Sequence, residues 1–273
     1  MQFRHVLAGT LIAGFLFSVG LISGAPVHSP DEDPGAAPPT ASSEGIAVVE
    51  LFTSESCSSC PPADRLLRSL VEEARASDRP IYGLSFHVDY WNHLGWEDPY
   101  SAAAYTERQR SYAEALGDRV YTPQMVVNGT TAFVGSKRSK ARSAIQSALS
   151  SPPPLEPEVR LVSESAQSPS VRTTLTDPPS NAVVHAALVE RGLSQDVTRG
   201  ENANRTLRHA NVVRDFQSTP AAQMQTISLD APSDLDPSKA LVIVSGIRHL
   251  REPPQSRNGQ PTGIGVLKLS LSF

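Results

Sequence analysis

Residues 46–64 read IAVVELFTSESCSSCPPAD, and this stretch decides the fold prediction. Its first part, residues 46–53, is short, β-branched and almost wholly apolar, which is typical of a strand buried on both faces of a sheet. In residues 63–76, apolar side chains recur at helical spacing with charged side chains between them. A buried strand followed by an amphipathic helix predicts the start of an α/β domain.

The two cysteines of the chain, Cys57 and Cys60, lie between this strand and this helix. One helical turn brings residues i and i+3 within the Cα separation that a disulfide tolerates, so the pair can be oxidised and reduced with little backbone movement. Unpaired N–H groups at a helix N-terminus stabilise a thiolate and lower its pKa. We therefore predict a redox-active dithiol with Cys57 as the nucleophile. Pro61 and Pro62 favour a helix that begins near Cys60, which makes this activation mild.

Further elements are predicted as far as residue 149. Residues 81–88 predict a second strand, and Asp98 followed by proline predicts the start of a helix that ends near Gly117. The Asn-Gly dipeptide at residues 128–129 predicts a tight hairpin. Residues 137–149 predict a last helix, which completes an α/β domain over residues 45–150.

The pattern changes at the three prolines of residues 152–154, because no helix continues through them. The chain beyond them contains short runs of alternating apolar and polar residues, separated by turn residues. The predicted strands are residues 158–162, 171–176, 182–190, 224–229, 241–245 and 264–271. Their spacing predicts an all-β, sandwich-like C-terminal domain over residues 155–273.

The N-terminal residues have the pattern of a secretory signal. An apolar run at residues 6–22 precedes small residues at 23–25, which predicts a signal peptide over residues 1–25. Residues 26–44 are rich in Pro, Ala and Ser and predict a disordered linker. An uncleaved anchor is the alternative, because the apolar run reaches the roughly 17 residues that a membrane span needs. Both interpretations place the protein outside the cytoplasm, periplasmic or secreted, where disulfides persist.

Charge and composition narrow the class of partner. The formal net charge is −4 and the chain has no run of like charges, so nothing favours nucleic acid or an anionic membrane surface. We expect a protein or a small thiol or disulfide as substrate. We expect no cofactor, and no stable membrane association after signal cleavage.

Four strings of the sequence carry a resemblance to a known family. They are ELFTSESCSSCPPAD (50–64), HVDYW (87–91), YTPQ (121–124) and GENANRTLRHANVVR (200–214). They resemble the DUF1223 family of secreted thioredoxin-like proteins, within the thioredoxin superfamily. The superfamily resemblance implies that Pro123 is cis and lies against the cysteine pair, and that Thr122 presents its backbone to a bound substrate. It also suggests two alternatives for Glu50, which are a proton acceptor for the resolving thiol and a structural residue.

A polar cluster of His87, Asp89 and His93 follows the second predicted strand. Capping of the sheet end is the favoured interpretation, and a copper or zinc site shared with the cysteines is the alternative. The whole sequence therefore predicts an extracytoplasmic thiol–disulfide oxidoreductase. A Cu(I) carrier and a binding module with a purely structural disulfide remain as alternative functions.

Overall fold

The computed structural model of the protein describes residues 45–151, 157–163, 165, 167–248 and 264–270. The predicted signal peptide (1–25), the predicted linker (26–44) and the proline run (152–154) lie outside these described residues. None of the helices in the described ranges is long and apolar enough to cross a membrane.

The helices and strands of the first segment, residues 45–151, agree with the prediction except at one helix. They are β1 (Ala47–Thr53), α1 (Pro61–Ala76), β2 (Ile81–His87), α2 (Ala103–Leu116), β3 (Gln124–Val127), β4 (Thr131–Val134) and α3 (Arg138–Leu149). The sequence places the start of the second helix at Asp98, but α2 begins at Ala103. Asp98 does not cap α2, because its carboxylate accepts hydrogen bonds from the N–H groups of Glu55 and Tyr100.

The second segment, from residue 157 onward, consists mainly of strands. They are β5 (Glu158–Ser163), β6 (Ser170–Thr174), β7 (Ala182–Glu190), β8 (Ser194–Val197), β9 (Arg205–Arg208), β10 (Val212–Pro220), β11 (Met224–Ser228), β12 (Ala240–Arg248) and β13 (Ile264–Ser270). The sequence does not predict β8, β9 and β10. Two of them are only four residues long, and β10 has an irregularity between Val213 and Asp215 that breaks the alternation of apolar and polar residues.

One eight-stranded mixed sheet runs through both segments in the order β13-β12-β7-β10-β2-β1-β3-β4. β1 is central in the first segment, parallel to β2 and antiparallel to β3. β10 joins the two segments, because Val212 pairs in parallel with Ser85 of β2. The Ser85 N–H donates to the carbonyl of Asn211 at 3.0 Å, and the Asn211 side chain donates to the carbonyl of Gly83 at 2.8 Å.

This shared sheet differs from the sandwich-like all-β domain expected after residue 155. A second sheet, in the order β11-β6-β5, does pack on β7 and β12 through buried apolar side chains. However, β7, β10, β12 and β13 extend the sheet of β1 to β4, and the described residues from 45 onward belong to one compact unit. The fold is therefore mixed α/β, with one large mixed sheet and smaller antiparallel sheets. β1 pairs with one side of the β2 backbone and β10 pairs with the other side. The sequence pattern of β2 does not show that a second strand pairs there.

The two faces of β1 have different environments. Val49 and Leu51 face α1 and α3, whereas Val48 and Phe52 face the aromatic side chains of α2. All seven residues of β1 are buried. The buried strand therefore ends in a fixed position, from which the chain leads directly to the cysteines.

Candidate functional site

The cysteine pair lies in a tight turn between β1 and α1. The Cys57 N–H donates to the carbonyl of Ser54 and the Cys60 N–H donates to the carbonyl of Cys57, both at 3.1 Å. Cys57 and Cys60 form a disulfide with a Cα separation of 5.4 Å. Cys60 is the N-cap residue of α1, which confirms that the helix begins near Cys60. Cys57 therefore lies before the helix and outside its first turn.

The loop before β3 contacts the cysteine pair directly. The Thr122–Pro123 peptide bond is cis, as the superfamily resemblance implies. The Thr122 hydroxyl donates a hydrogen bond to Cys57 Sγ at 3.2 Å and accepts one from Trp91 Nε1 at 2.7 Å. The structure thus brings Cys57, Cys60 and the Thr122–Pro123 loop together.

The sulfur atoms are less exposed than a pair at an open sheet edge would be. Cys57 is 2% exposed and Cys60 is 0% exposed, whereas Ser58 and Ser59 between them are exposed. The segment of residues 200–205 contacts the backbone carbonyl of Cys57 across 145 positions of the chain. Cys57 is the outer of the two cysteines and the one that contacts the Thr122 hydroxyl.

The 200–205 segment is held on the motif by a buried asparagine. Asn202 is 0% exposed, and its amide group donates to the carbonyls of Glu55 and Cys57 at 2.7 and 3.0 Å. The adjacent Glu201 accepts a hydrogen bond from the Ser58 N–H at 3.1 Å. Gly200 allows this approach, because it has a φ of +75° and a Cβ there would lie 3.2 Å from Trp96 Cβ. The residue patterns did not predict that this segment contacts the cysteine motif. In the sequence, the segment was singled out as part of the family string at 200–214.

Glu50 is not brought to the cysteines. It lies on the face of β1 that packs against α2, where its two carboxylate oxygens bind Arg108 at 2.7 and 2.8 Å. The Tyr112 hydroxyl donates to the same carboxylate at 2.7 Å. Side chains alternate between the two faces of a strand, so Glu50 points away from α1, the helix that carries Cys60. Of the two alternatives for Glu50, the structural one fits this placement.

A cluster of buried ionisable side chains lies next to the motif. Its members are Glu55, Asp64, His87, Asp98 and His209, and none is more than 6% exposed. His87 Nδ1 lies 2.7 Å from Asp98 Oδ2, and His209 Nε2 lies 2.9 Å from Glu55 Oε1. The two imidazole rings meet edge to face with centroids 4.7 Å apart. The cluster thus combines residues of both segments.

Asp64 is the carboxyl group of this cluster that lies on α1, four residues after Cys60. Burial raises its pKa above the usual 3.8, and the nearby His209 and His87 only partly oppose that effect. The Thr53 hydroxyl donates to Asp64 Oδ1 at 2.9 Å. Burial lowers the pKa of His87, but the adjacent Asp98 outweighs it and the net pKa is raised. The region therefore contains a carboxyl group that binds a proton more readily than an ordinary aspartate.

Comparison with known proteins supplies the family. A family model described as "Protein of unknown function (DUF1223)" matches residues 48–245. The chain belongs to the DUF1223 family. No curated protein matches it.

Two solved structures are similar to this DUF1223 chain. The protein AGR_C_4864 from Agrobacterium tumefaciens is 27% identical, with a TM-score of 0.60 over 84% of this chain and 96% of that one. HBP35 of Porphyromonas gingivalis is 12% identical, with a TM-score of 0.56 over 84% of this chain and 76% of that one. The second likeness concerns the fold alone.

The three metal-site candidates of this DUF1223 chain are separated in the structure. His87 is buried against Asp98, Asp89 accepts a hydrogen bond from the Thr106 hydroxyl at 2.5 Å, and His93 is exposed. Within the ranges that the structure describes, no three His, Cys, Asp or Glu side chains are grouped so that they could hold a metal ion. That these residues cap the end of β2 stays a prediction.

A cleft of about 120 Å³ lies between β9 and the N-terminal part of α1. Its lining residues are Pro61, Asp64, Arg65, Arg68, Thr206, Leu207 and Arg208. Asp64 therefore lines a cleft that is large enough for water molecules, although its side chain is almost wholly buried.

Proposed function

We propose that this protein is an extracytoplasmic thiol–disulfide oxidoreductase with a thioredoxin-like active site. The observation that carries the proposal is the contact between the disulfide and the cis-proline loop, in which the Thr122 hydroxyl lies 3.2 Å from Cys57 Sγ. A purely structural disulfide needs no such neighbour. A reactive sulfur gains from it, because a hydroxyl donor stabilises the thiolate form.

The arrangement of the first segment supports the thioredoxin-like assignment. β1 lies between β2 and β3, the cysteine pair follows β1, and the cis-proline precedes β3. The strands of the second segment add to this core on the far side of β2.

The proposed reaction is a reversible exchange of a disulfide for a dithiol. In the reducing direction, the Cys57 thiolate attacks one sulfur of a substrate disulfide, whose S–S bond breaks and whose other sulfur leaves as a thiolate that takes up a proton. The Cys60 thiol then loses its proton and attacks Cys57 Sγ in the mixed disulfide. The substrate leaves with two electrons gained, and the protein has its Cys57–Cys60 disulfide. A thiol reductant restores the dithiol by the reverse steps.

Asp64 is the residue that we assign as proton acceptor for Cys60, in place of Glu50. It lies on the helix that begins at Cys60, its pKa is raised by burial, and it borders the cleft beside α1. A base works best when its pKa is close to the working pH, which a buried carboxyl approaches and an ordinary one does not. Glu50 is unsuited to the task, because Arg108 binds both of its oxygens.

The substrate class and the compartment rest on sequence. The N-terminal pattern supports work outside the cytoplasm, where a substrate disulfide persists. The exposed residues Ser58 and Ser59 lie at the motif surface, and Ser59 Oγ is 3.5 Å from the carbonyl of Thr122. We propose that a protein or a small thiol or disulfide approaches Cys57 from this side.

Trapping of the mixed disulfide tests the proposed reaction. The variant Cys60→Ala lacks the resolving thiol, so it is expected to accumulate an adduct on Cys57 when it is incubated with glutathione disulfide and with an oxidised peptide. Intact mass spectrometry detects the adduct, and Cys57→Ala is the matched control, in which Cys60 is buried and is expected to remain free. Absence of an adduct on Cys57, or a wild-type reduction potential below about −300 mV, would identify a structural disulfide.

Replacing Asp64 with Asn tests the proton acceptor. The substituted amide still accepts the hydrogen bond from Thr53, but it cannot take a proton from Cys60. Single-turnover oxidation of the dithiol at neutral pH is expected to slow by about 100-fold, which is the usual size of a general-base effect. The rate is measured by stopped-flow fluorescence, with Glu72→Gln on the exposed face of α1 as the control. An unchanged rate would remove Asp64 from the mechanism.

The same variant has a predicted effect on stability. Because burial raises the pKa of Asp64, the folded protein binds this proton more tightly than the unfolded chain does. Stability is therefore lost as the pH rises from 3.8, the usual value, through the raised pKa of the folded state. Asp64→Asn abolishes this loss, so its advantage in free energy of unfolding over the wild type is expected to grow with pH. Urea denaturation of the oxidised proteins across this range measures the trend, and a constant difference contradicts it.

A further inference from the structure

The 200–205 segment places a carboxylate on the backbone of the cysteine motif. Glu201 Oε2 accepts the N–H of Ser58, the residue directly after Cys57, at 3.1 Å. A backbone N–H in this position is one of the groups that otherwise stabilise a Cys57 thiolate. The carboxylate both occupies this donor and adds a negative charge at the residue that follows Cys57.

The position of Glu201 is set by its neighbour. Asn202 is fully buried and donates to two carbonyls of the motif, and its own Oδ1 accepts from Arg205 at 2.9 Å. All its strong hydrogen-bonding groups therefore have partners, which holds the segment in one register. Glu201 cannot drift far from Ser58 while Asn202 stays in place.

Other ionisable groups also surround the motif. They are Glu55 within the motif, Asp64 on α1, His87 and Asp98 from β2 and the segment after it, and Glu201 and His209 from the second segment. Glu55 and Asp98 each lie against a histidine, His209 and His87 respectively. Glu201 forms no ion pair with any described residue, and its hydrogen bond from Ser58 lowers its own pKa, which keeps it ionised. Its charge is thus uncompensated in the described part of the site.

We propose that Glu201 makes Cys57 a weaker acid and the Cys57–Cys60 disulfide harder to reduce. This inference rests on the proposed function, and it predicts the direction in which Glu201 shifts the equilibrium between disulfide and dithiol. An anion beside the motif disfavours the thiolate of the reduced state relative to the neutral disulfide. The dithiol form is therefore a stronger reductant than it would be without Glu201. The second segment thus tunes the redox chemistry of the first.

The variant Glu201→Gln tests the proposal, because glutamine keeps an oxygen that accepts the Ser58 N–H while it removes the charge. In the Cys60→Ala background, the ionisation constant of Cys57 is expected to rise about threefold, as removal of one charge several ångströms away in water predicts. Thiolate absorbance at 240 nm, titrated at low salt, measures it. The gain is expected to vanish in about 1 M salt, where the screening length falls to about 3 Å. Glu72→Gln removes the charge of another exposed carboxylate, on α1, and is the control.

A second measurement uses both cysteines. The equilibrium of the Glu201→Gln protein with glutathione is expected to shift about threefold toward the dithiol, equivalent to about 14 mV at 29.6 mV per tenfold change. No difference from Glu72→Gln in either measurement would overturn the role of Glu201. Failure of the wild type to exchange with glutathione at all would instead count against the proposed oxidoreductase. In that event the titration of Cys57 still decides the question about Glu201.

Discussion

Replacing Glu50 with Ala is expected to reduce the free energy of unfolding by about 3–5 kcal/mol and to leave the reduction potential unchanged. The carboxylate of Glu50 binds Arg108 through two hydrogen bonds, and both side chains are largely buried. Removal of one member of a buried ion pair leaves the other as an uncompensated charge, which is the origin of the large cost. The Tyr112 hydroxyl loses its acceptor as well.

Two further variants make the Glu50 result specific. The double variant Glu50→Leu/Arg108→Met is expected to recover most of the lost stability, because an apolar pair avoids the buried charge. Glu107→Ala removes a carboxylate from an exposed pair with Arg110 on the same helix and is expected to change stability by about 0.5 kcal/mol or less. Urea denaturation measures all of these. If Glu50→Ala shifted the reduction potential as well, the assignment of Glu50 to a structural role would be wrong.

Replacing Asn202 with Asp is the second substitution with a large expected effect. The new carboxylate cannot donate to the carbonyls of Glu55 and Cys57, and it places a negative charge against their oxygens. Each buried acceptor without a donor costs about 1–3 kcal/mol, so the loss of two donors is expected to cost at least about 2 kcal/mol. Because the segment then leaves the motif, we also expect the sulfur of Cys57 to become accessible.

Two readouts separate these consequences. Urea denaturation gives the loss of stability, and the rate at which a bulky thiol reagent modifies Cys57 of the reduced protein gives its accessibility. Asn204→Asp makes the same chemical change two residues away at an exposed position, and it is expected to behave like the wild type. A stable Asn202→Asp protein with unaltered Cys57 reactivity would show that Asn202 does not hold the segment on the motif.

Local patterns were sufficient to predict the strand, helix and hairpin around the cysteine pair. The apolar run before Cys57, the prolines after Cys60 and the Asn-Gly turn at residues 128–129 are short-range signals, and the corresponding β1, α1 and β3–β4 hairpin are present. The position of the Thr122–Pro123 loop against the pair came from the resemblance to a family. Asp98 shows the limit of such signals. Its side chain is well suited to cap a helix, but it contacts His87 and the backbone N–H of Glu55 instead.

Strand β10 shows why the second half was harder to predict. Its sequence mixes apolar and charged residues and contains an irregularity, so no period of two is visible. Its place in the fold is decided by backbone pairing with β2 and β7, and backbone groups are the same in every residue. A sequence that lacks the period therefore gives no sign of which sheet the strand will join.

The sequence by itself determined where the disulfide lies and which cysteine precedes the helix. Only the tertiary structure decided that Glu50 binds Arg108, that Asp64 is buried, and that residues 200–205 contact Cys57. The physical reason is the range of the interactions. Strand, helix and turn preferences act over a few neighbouring residues, whereas the contacts of Asn202 and His209 with the motif span 145 and 154 positions. Such contacts exist only once the whole sheet has formed.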